Sequence, residues 1–223
     1  AFSEDGQDDM NRLLENFNEN IKDPAVALAQ IADAGKFVET KSEFGKDMVT
    51  GLMLLNGVTV GVVANRVAQY DNDGKVASKY EGVLTTDGCD KAASLVKFCD
   101  AFSIPIVTFT NVTGYAATKE EEKTIARATA QLTYAFANAD VPKVNVIVGN
   151  AFGSAYVTMN SKHIGADLVF ALPTAKIGMM DATVAAQIMF EDEISKASNT
   201  KEALEAKAKE YEELQSSAKN AAK

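Results

Sequence analysis

The sequence is short of the residues that most enzyme chemistry uses. It has no tryptophan, one histidine (His163), two cysteines (Cys89 and Cys99) and four prolines. A single histidine leaves no His-rich metal site and no two-histidine mechanism within the chain. The cysteines lie ten apart with no CxxC pair, so both read as small apolar residues and a disulfide scaffold is not expected. No uncharged apolar run approaches the roughly 18 residues of a membrane helix. Glu4, Asp5, Asp8 and Asp9 stand where a signal peptide would carry a basic start and an apolar stretch, so a cytoplasmic protein without a membrane span is expected. There is no basic excess either. Lys plus Arg number 22 and Asp plus Glu 31, a net charge of −9, which disfavours nucleic acid and anionic membranes as partners.

What is present is an ordinary globular mixture: 223 residues, 47% apolar and 24% charged, enough for one large domain or two small ones. Leu13, Leu14, Phe17 and Ile21 fall on one helical face. Asp23-Pro24 reads as an N-cap and first helical residue, followed by a helix over Ala25 to Ala34 that Gly35 stops. Phe37-Val38 suggests a short strand. Two apolar runs, Met48 to Leu55 and Val58 to Ala64, flank Asn56-Gly57, the signature of a two-residue hairpin. Arg66 to Glu81 is polar and reads as a surface excursion.

Beyond it, strands and helices alternate. Strands are expected over Ile104 to Phe109, Lys143 to Val148, Leu168 to Ala171 and Ile177 to Met179. Helical stripes run through Ala92 to Phe102, Ile125 to Ala139, Ser154 to Met159 and Ala182 to Phe190. A hairpin followed by this alternation implies a layered α/β fold. The tail from Lys201 is a helix with a thin apolar face, for its own domain or for a partner subunit.

Two loops follow buried-looking strands: Asn111-Val112-Thr113-Gly114-Tyr115-Ala116 and Gly149-Asn150-Ala151-Phe152-Gly153-Ser154-Ala155-Tyr156. Ligands of open α/β sheets collect beyond the carboxyl ends of strands. Gly153 lets backbone approach a ligand, and the small Ser154 and Ala155 leave their N–H groups accessible at a helix start. Such donors can hold an oxyanion without any titratable side chain, which suits the poverty of histidine. The bland alternative is packing at a strand–helix junction. A Ser154–His163–Asp167 hydrolase is disfavoured: the G-x-S-x-G pattern is missing, and His163 reads as the end of the same helix, capping it or bonded locally. Asn111-Val112-Thr113 matches a glycosylation site by chance. Asp90, Asp100, Asp181 and Glu191 form no convincing metal set.

Several stretches, in order, resemble one family. They are Gly82-Val83-Leu84, Asp90-Lys91-Ala92-Ala93, Phe98-Cys99-Asp100-Ala101-Phe102, Asn111 to Tyr115, Val141-Pro142-Lys143-Val144, Ala151 to Tyr156, Ser161-Lys162-His163, Gly165-Ala166-Asp167 and Pro173-Thr174-Ala175. The chain is similar to the C-terminal half of biotin-dependent acyl-CoA carboxyltransferases, as in propionyl-CoA carboxylase β chains and decarboxylase α chains. The resemblance implies a crotonase-like ββα spiral over 46–190, preceded by a helical arm (1–45) and followed by a long C-terminal helix (191–223). It implies biotin, carried on a biotin carboxyl carrier protein, and a CoA thioester substrate bound by an N-terminal-type carboxyltransferase domain or subunit within a homo- or hetero-oligomer. It places the amides of Gly114, Ser154 and Ala155 at the reacting group, lines the biotin side with Tyr115, Gly153 and Tyr156, and puts Val157 where acyl-group choice is tuned.

The chain departs from the family pattern in places. Thr113-Gly114 replaces Pro-Gly, and Gly153-Ser154-Ala155 replaces Gly-Gly-Ala. Lys119-Glu120-Glu121-Glu122-Lys123 replaces a glycine-rich stretch, and Asp181-Ala182-Thr183-Val184 replaces Gly-Ala-Glu-Gly. These leave two alternatives to a carboxyltransferase half-subunit: a non-catalytic assembly subunit, or a stand-alone crotonase-like hydratase, hydrolase or decarboxylase.

Overall fold

A computed structural model describes residues 13–71 and 73–222. The first elements are a single helical turn, α1 (Phe17–Asn20), and helix α2 (Pro24–Ile31). The Asp23 carboxylate caps α2 by accepting from the Ala25 N–H at 3.3 Å. The helical face expected from Leu13 onward is only partly realised. Phe17 and Ile21 pack inward, but Leu13 is 93% exposed and precedes the helix. The reading of residues 1–12 as part of a helical arm lies outside the described residues.

Strands β1 (Phe37–Thr40), β2 (Met48–Leu55) and β3 (Val58–Asn65) form an antiparallel edge. The Asn56-Gly57 turn takes two positive φ angles, 49° and 75°, as the primed hairpin turn requires. The Asp33 carboxylate fastens this turn, accepting from the N–H groups of Asn56 (2.9 Å) and Gly57 (2.6 Å). A small hairpin, β4 (Ala68–Tyr70) with β5 (Val76–Lys79), follows, then β6 (Val83–Leu84) and helix α3 (Thr86–Ala101).

Next come β7 (Ile106–Val112), β8 (Gly114–Tyr115), α4 (Ile125–Asn138), β9 (Lys143–Phe152), α5 (Gly153–Thr158), β10 (Leu168–Ala171) and β11 (Lys176–Gly178). The main sheet runs β1-β2-β3-β7-β9-β10, with β11 also on β9, and every pair from β3 onward is parallel. Parallel strands need cover on both faces, and alternate residues supply it. Met48, Val63 and Ile106 face α3 and α4, while Val49, Val62 and Phe109 face α2.

The chain ends with α6 (Ala182–Met189), α7 (Glu191–Ser195), α8 (Thr200–Tyr211), a wide π turn (Glu212–Ser216) and α9 (Ala218–Ala221). The helix expected throughout the tail is thus broken at Ser217, whose extended backbone (φ −72°, ψ 142°) restarts it. α8 packs against α6 and the π turn against β11, so the tail lies on its own domain.

One expectation is overturned outright. The polar run from Arg66 is not all surface. Arg66 is 2% exposed and donates to Asp23 Oδ1 (2.9 Å), Glu39 Oε2 (3.1 Å) and the Lys46 carbonyl (3.1 Å). Buried Lys91 lies 3.8 Å from Glu39 Oε1 and donates to the Met48 carbonyl at 2.7 Å. Burial lowers the Lys91 ammonium from its ordinary range, with Glu39 opposing the shift.

Candidate active site

Both predicted loops are more ordered than expected. Asn111 and Val112 complete β7, and Gly114–Tyr115 form β8, which pairs with β6 in the register Val83 to Gly114. Flanking bonds from Thr113 N–H to Gly82 (2.8 Å) and Ala116 N–H to Leu84 (2.9 Å) hold it there. In the second segment, β9 continues to Phe152 and the helix opens at Gly153, one residue before the expected start. The two segments converge, because α5 packs against β8 and Ala155, Tyr115 and Tyr156 share one apolar cluster.

The turn between β9 and α5 is set by Gly153. Its φ is +57°, and a Cβ there would sit 3.0 Å from the Met179 carbonyl. With this kink the backbone leaves the sheet and enters α5, whose first turn carries the N–H groups of Ser154 and Ala155, positions with no i−4 carbonyl inside the helix. Ser154 is exposed, Ala155 buried, and Gly153, Tyr156 and Val157 half-buried. Gly114 is half-buried too, and a Cβ added there would meet nothing within 4 Å, so the backbone is open to an approaching group. Burial raises the Tyr156 phenol above its ordinary value of 10.0, keeping it neutral.

A scaffold of asparagines holds this corner, and nothing in the sequence pattern had pointed to it. Asn65 Oδ1, at the end of β3, accepts from the Asn111 N–H of β7 at 3.0 Å. Asn111 Oδ1 in turn accepts from the Asn150 N–H of β9 at 2.9 Å, lying over Gly149. Below them, Asn145 accepts from Thr110 Oγ1 (2.8 Å) and donates to the Met159 carbonyl (3.1 Å), fixing the far end of α5. The one signal that could have found it is an asparagine inside a β-branched run, as in Val144-Asn145-Val146, where a polar side chain must find a partner.

The other candidates separate. His163 lies exposed on its own 3-10 turn (Lys162–Ile164), not on the helix of Ser154, and among the described residues no hydrogen bond joins the two. The charged run replacing the family's glycines ties down a helix start. Within it, Glu121 accepts from the N–H (2.8 Å) and Oγ1 (2.6 Å) of Thr86, the first residue of α3. Asp181 caps α6 through the Thr183 N–H at 2.8 Å. Burial pushes the Cys89 thiol to about 12 and the Cys99 thiol to about 11, so neither is a nucleophile near neutrality.

The family model for the carboxyl transferase domain matches residues 9–223. The chain belongs to the carboxyl transferase family. The propionyl-CoA carboxylase β chain of Cereibacter sphaeroides is 37% identical over 208 residues, covering 93% of this chain and 38% of that one. The methylmalonyl-CoA carboxyltransferase 12S subunit of Propionibacterium freudenreichii is 37% identical over 187 residues, 83% of this chain and 34% of that one. A crystal structure of transcarboxylase 12S, a hexamer with methylmalonyl-CoA and methylmalonic acid bound, superimposes with a TM-score of 0.81. It is 31% identical and covers 100% of this chain and 42% of that one. The crotonase-like α/β fold of this carboxyl transferase domain is thereby established. The chain spans about two fifths or less of the length of these relatives.

Proposed function

We propose that this chain is the C-terminal-type domain of a biotin-dependent acyl-CoA carboxyltransferase, catalytic only with a second chain or domain that binds the CoA thioester. The observation that carries this is the turn at Gly153, which sets the first-turn N–H groups of Ser154 and Ala155 beside open backbone at Gly114. Backbone donors at a helix start hold an oxygen as negative charge gathers on it, at no reorganisation cost. No side-chain base is needed, in keeping with the absence of an imidazole or activated thiol at this corner.

Biotin suits the corner on the same grounds. The ureido oxygen of a carboxybiotin, delivered by a carrier protein, would accept from Ser154 and Ala155 and lie along Gly114, with Tyr115 and Tyr156 as walls. When bound, that group supplies the carboxyl and a ring nitrogen that exchanges it for a proton. The half-buried Val157, next on α5, borders the space for the acyl group. A partner that completes the site has an apolar surface to cover. Met179 (76%), Ile188 (65%) and Met189 (62%) are exposed on and just before α6, and Met179 adjoins Gly153. A cytoplasmic setting and an oligomeric assembly accompany this proposal. The assembly-subunit alternative rests on the departures at 119–123 and 181–184; the bond from the Thr86 N–H to Glu121 and the cap from the Thr183 N–H to Asp181 give both a structural reason instead.

The test is carboxyl transfer from labelled carboxybiotin to propionyl-CoA by this chain mixed with an N-terminal-type carboxyltransferase chain. Label on the thioester that needs both chains is the expected result. A pair that associates but transfers nothing, with propionyl-CoA or any other acyl-CoA, would leave only the assembly role.

A further inference from the structure

We infer that the π turn at Glu212–Ser216, with Ser217, is a positioning clamp for the Ser154 and Ala155 amides, acting through β11. This rests on the proposal that those amides face the reacting group.

The contacts run in one direction. Lys176, the first residue of β11, pairs with Glu212 Oε2 at 2.8 Å and forms an isolated antiparallel bridge with Ser217. Ser216 is 1% exposed and its hydroxyl has no hydrogen-bond partner. It lies against Gly178, where an added Cβ would come within 3.2 Å of Ser216 Oγ. A buried hydroxyl gains nothing by remaining unpaired, so its place there is one of contact with the strand. Ala218 enters the apolar cluster that holds Ile177, Ala151 and Tyr156. β11 is paired with the last residues of β9, Ile177 to Ala151 and Gly178 to Phe152. The next carbonyl, that of Met179, backs onto Gly153, whose left-handed kink opens the helical turn that carries the two amides. The tail thus presses on β11, and β11 forms the wall behind the kink.

The turn itself is fixed locally. Asn220 Nδ2 donates to the carbonyls of Glu213 (3.2 Å) and Leu214 (2.8 Å), and Ser217 Oγ accepts from the Asn220 N–H at 3.3 Å. These bonds give α9 the role of closing the π turn, an irregular element that recurs at functional sites.

Two reversible perturbations test the clamp in the full chain. Gly178→Ala crowds Ser216 Oγ, and Ser216→Ala removes the crowding because Ser216 Cβ lies 3.9 Å away, an ordinary contact. Glu212→Lys sets like charges together, and adding Lys176→Glu restores an opposite pair. Each single variant, Gly178→Ala or Glu212→Lys, should lower kcat of the reconstituted pair about threefold to tenfold, the scale of one exposed ion pair or one tight contact, with KM for carboxybiotin little changed. Each should also displace the amide NMR signals of Ser154 and Ala155, and each double variant should restore both readouts. Single variants that leave kcat and these signals in place, or losses the second substitution does not restore, would overturn the clamp. Should the wild-type pair transfer no carboxyl group, the functional proposal fails, while the amide signals still decide whether the tail positions the corner.

Discussion

The two ends of the sheet treat polar groups in opposite ways. At the β1–β2–β3 edge, Asp23, Glu39, Arg66 and Lys91 are taken inside and joined to one another and to the Lys46 and Met48 carbonyls. At the β9–α5 corner, Gly153 turns the chain so that two backbone donors fall in the first turn of a helix, where no i−4 carbonyl meets them. The first region has charge and no freedom, and the second has freedom and no charge. Buried charges paired with one another hold a fold together, even where one oxygen, Glu39 Oε1, has only the Lys91 ammonium at 3.8 Å and no hydrogen bond among the described residues; donors presented at a strand end are available for a ligand. In this molecule the charged cluster is therefore structural, and the proposed function assigns the chemistry to main chain.

Removing a member of the charged cluster breaks that contrast most forcibly. Arg66→Ala leaves the Asp23 and Glu39 carboxylates in the interior without their shared guanidinium. Breaking a buried pair from one side costs about 3–5 kcal/mol, and urea denaturation should show a loss of that size. Ser154→Pro acts at the other end. Proline fits the first turn of a helix and removes one N–H, so the denaturation midpoint should stay near wild type. Carboxyl transfer should fall about a hundredfold, the effect of deleting one oxyanion donor. A normal rate in this variant would remove the amide assignment.

The contrast also explains what the sequence made legible. The hairpin was plain because Asn56 and Gly57 are the residues a primed turn demands, and the strand–helix alternation because apolar runs and stripes differ in period. The turn from β9 into α5 was visible from the small residues that follow a strand. The buried cluster was not. Arg66 opens a polar run, and a charge in a one-dimensional pattern reads as solvent-facing until Asp23 and Glu39, 43 and 27 residues away in sequence, are known to meet it. The break at Ser217 was hidden likewise, since Lys176, which bridges to it, lies 41 residues earlier by number. Long-range pairing decided each miss, whereas local turn and periodicity signals decided each success.

The asparagine relay joins the two regions and gives a smaller effect. Gly149→Ala thrusts a methyl into the Asn111 side chain that lies over it. Overpacking of this kind costs about 1–3 kcal/mol, read as a lowered denaturation midpoint. Asn111→Ala in the same chain should return part of the loss, so the two substitutions together cost less than their sum. Simple additivity would show that Asn111 does not fill the space above Gly149.

The least effect is expected at Asp47, beside the charged cluster. Its Oδ2 accepts from Thr85 Oγ1 at 2.8 Å, and burial raises its carboxyl above the ordinary 3.8 despite that bond. The folded chain therefore holds this proton more tightly than the unfolded chain. In the window from 3.8 up to the folded value the native state carries more of it, so this group's contribution favours folding in acid and fades as pH rises through that window. Asp47→Asn keeps an oxygen for Thr85 and abolishes the titration. Denaturation midpoints measured across the acid range should then lose that downward component relative to wild type. An identical pH profile in the two proteins would place Asp47 in solvent, outside the region where the fold pairs its charges.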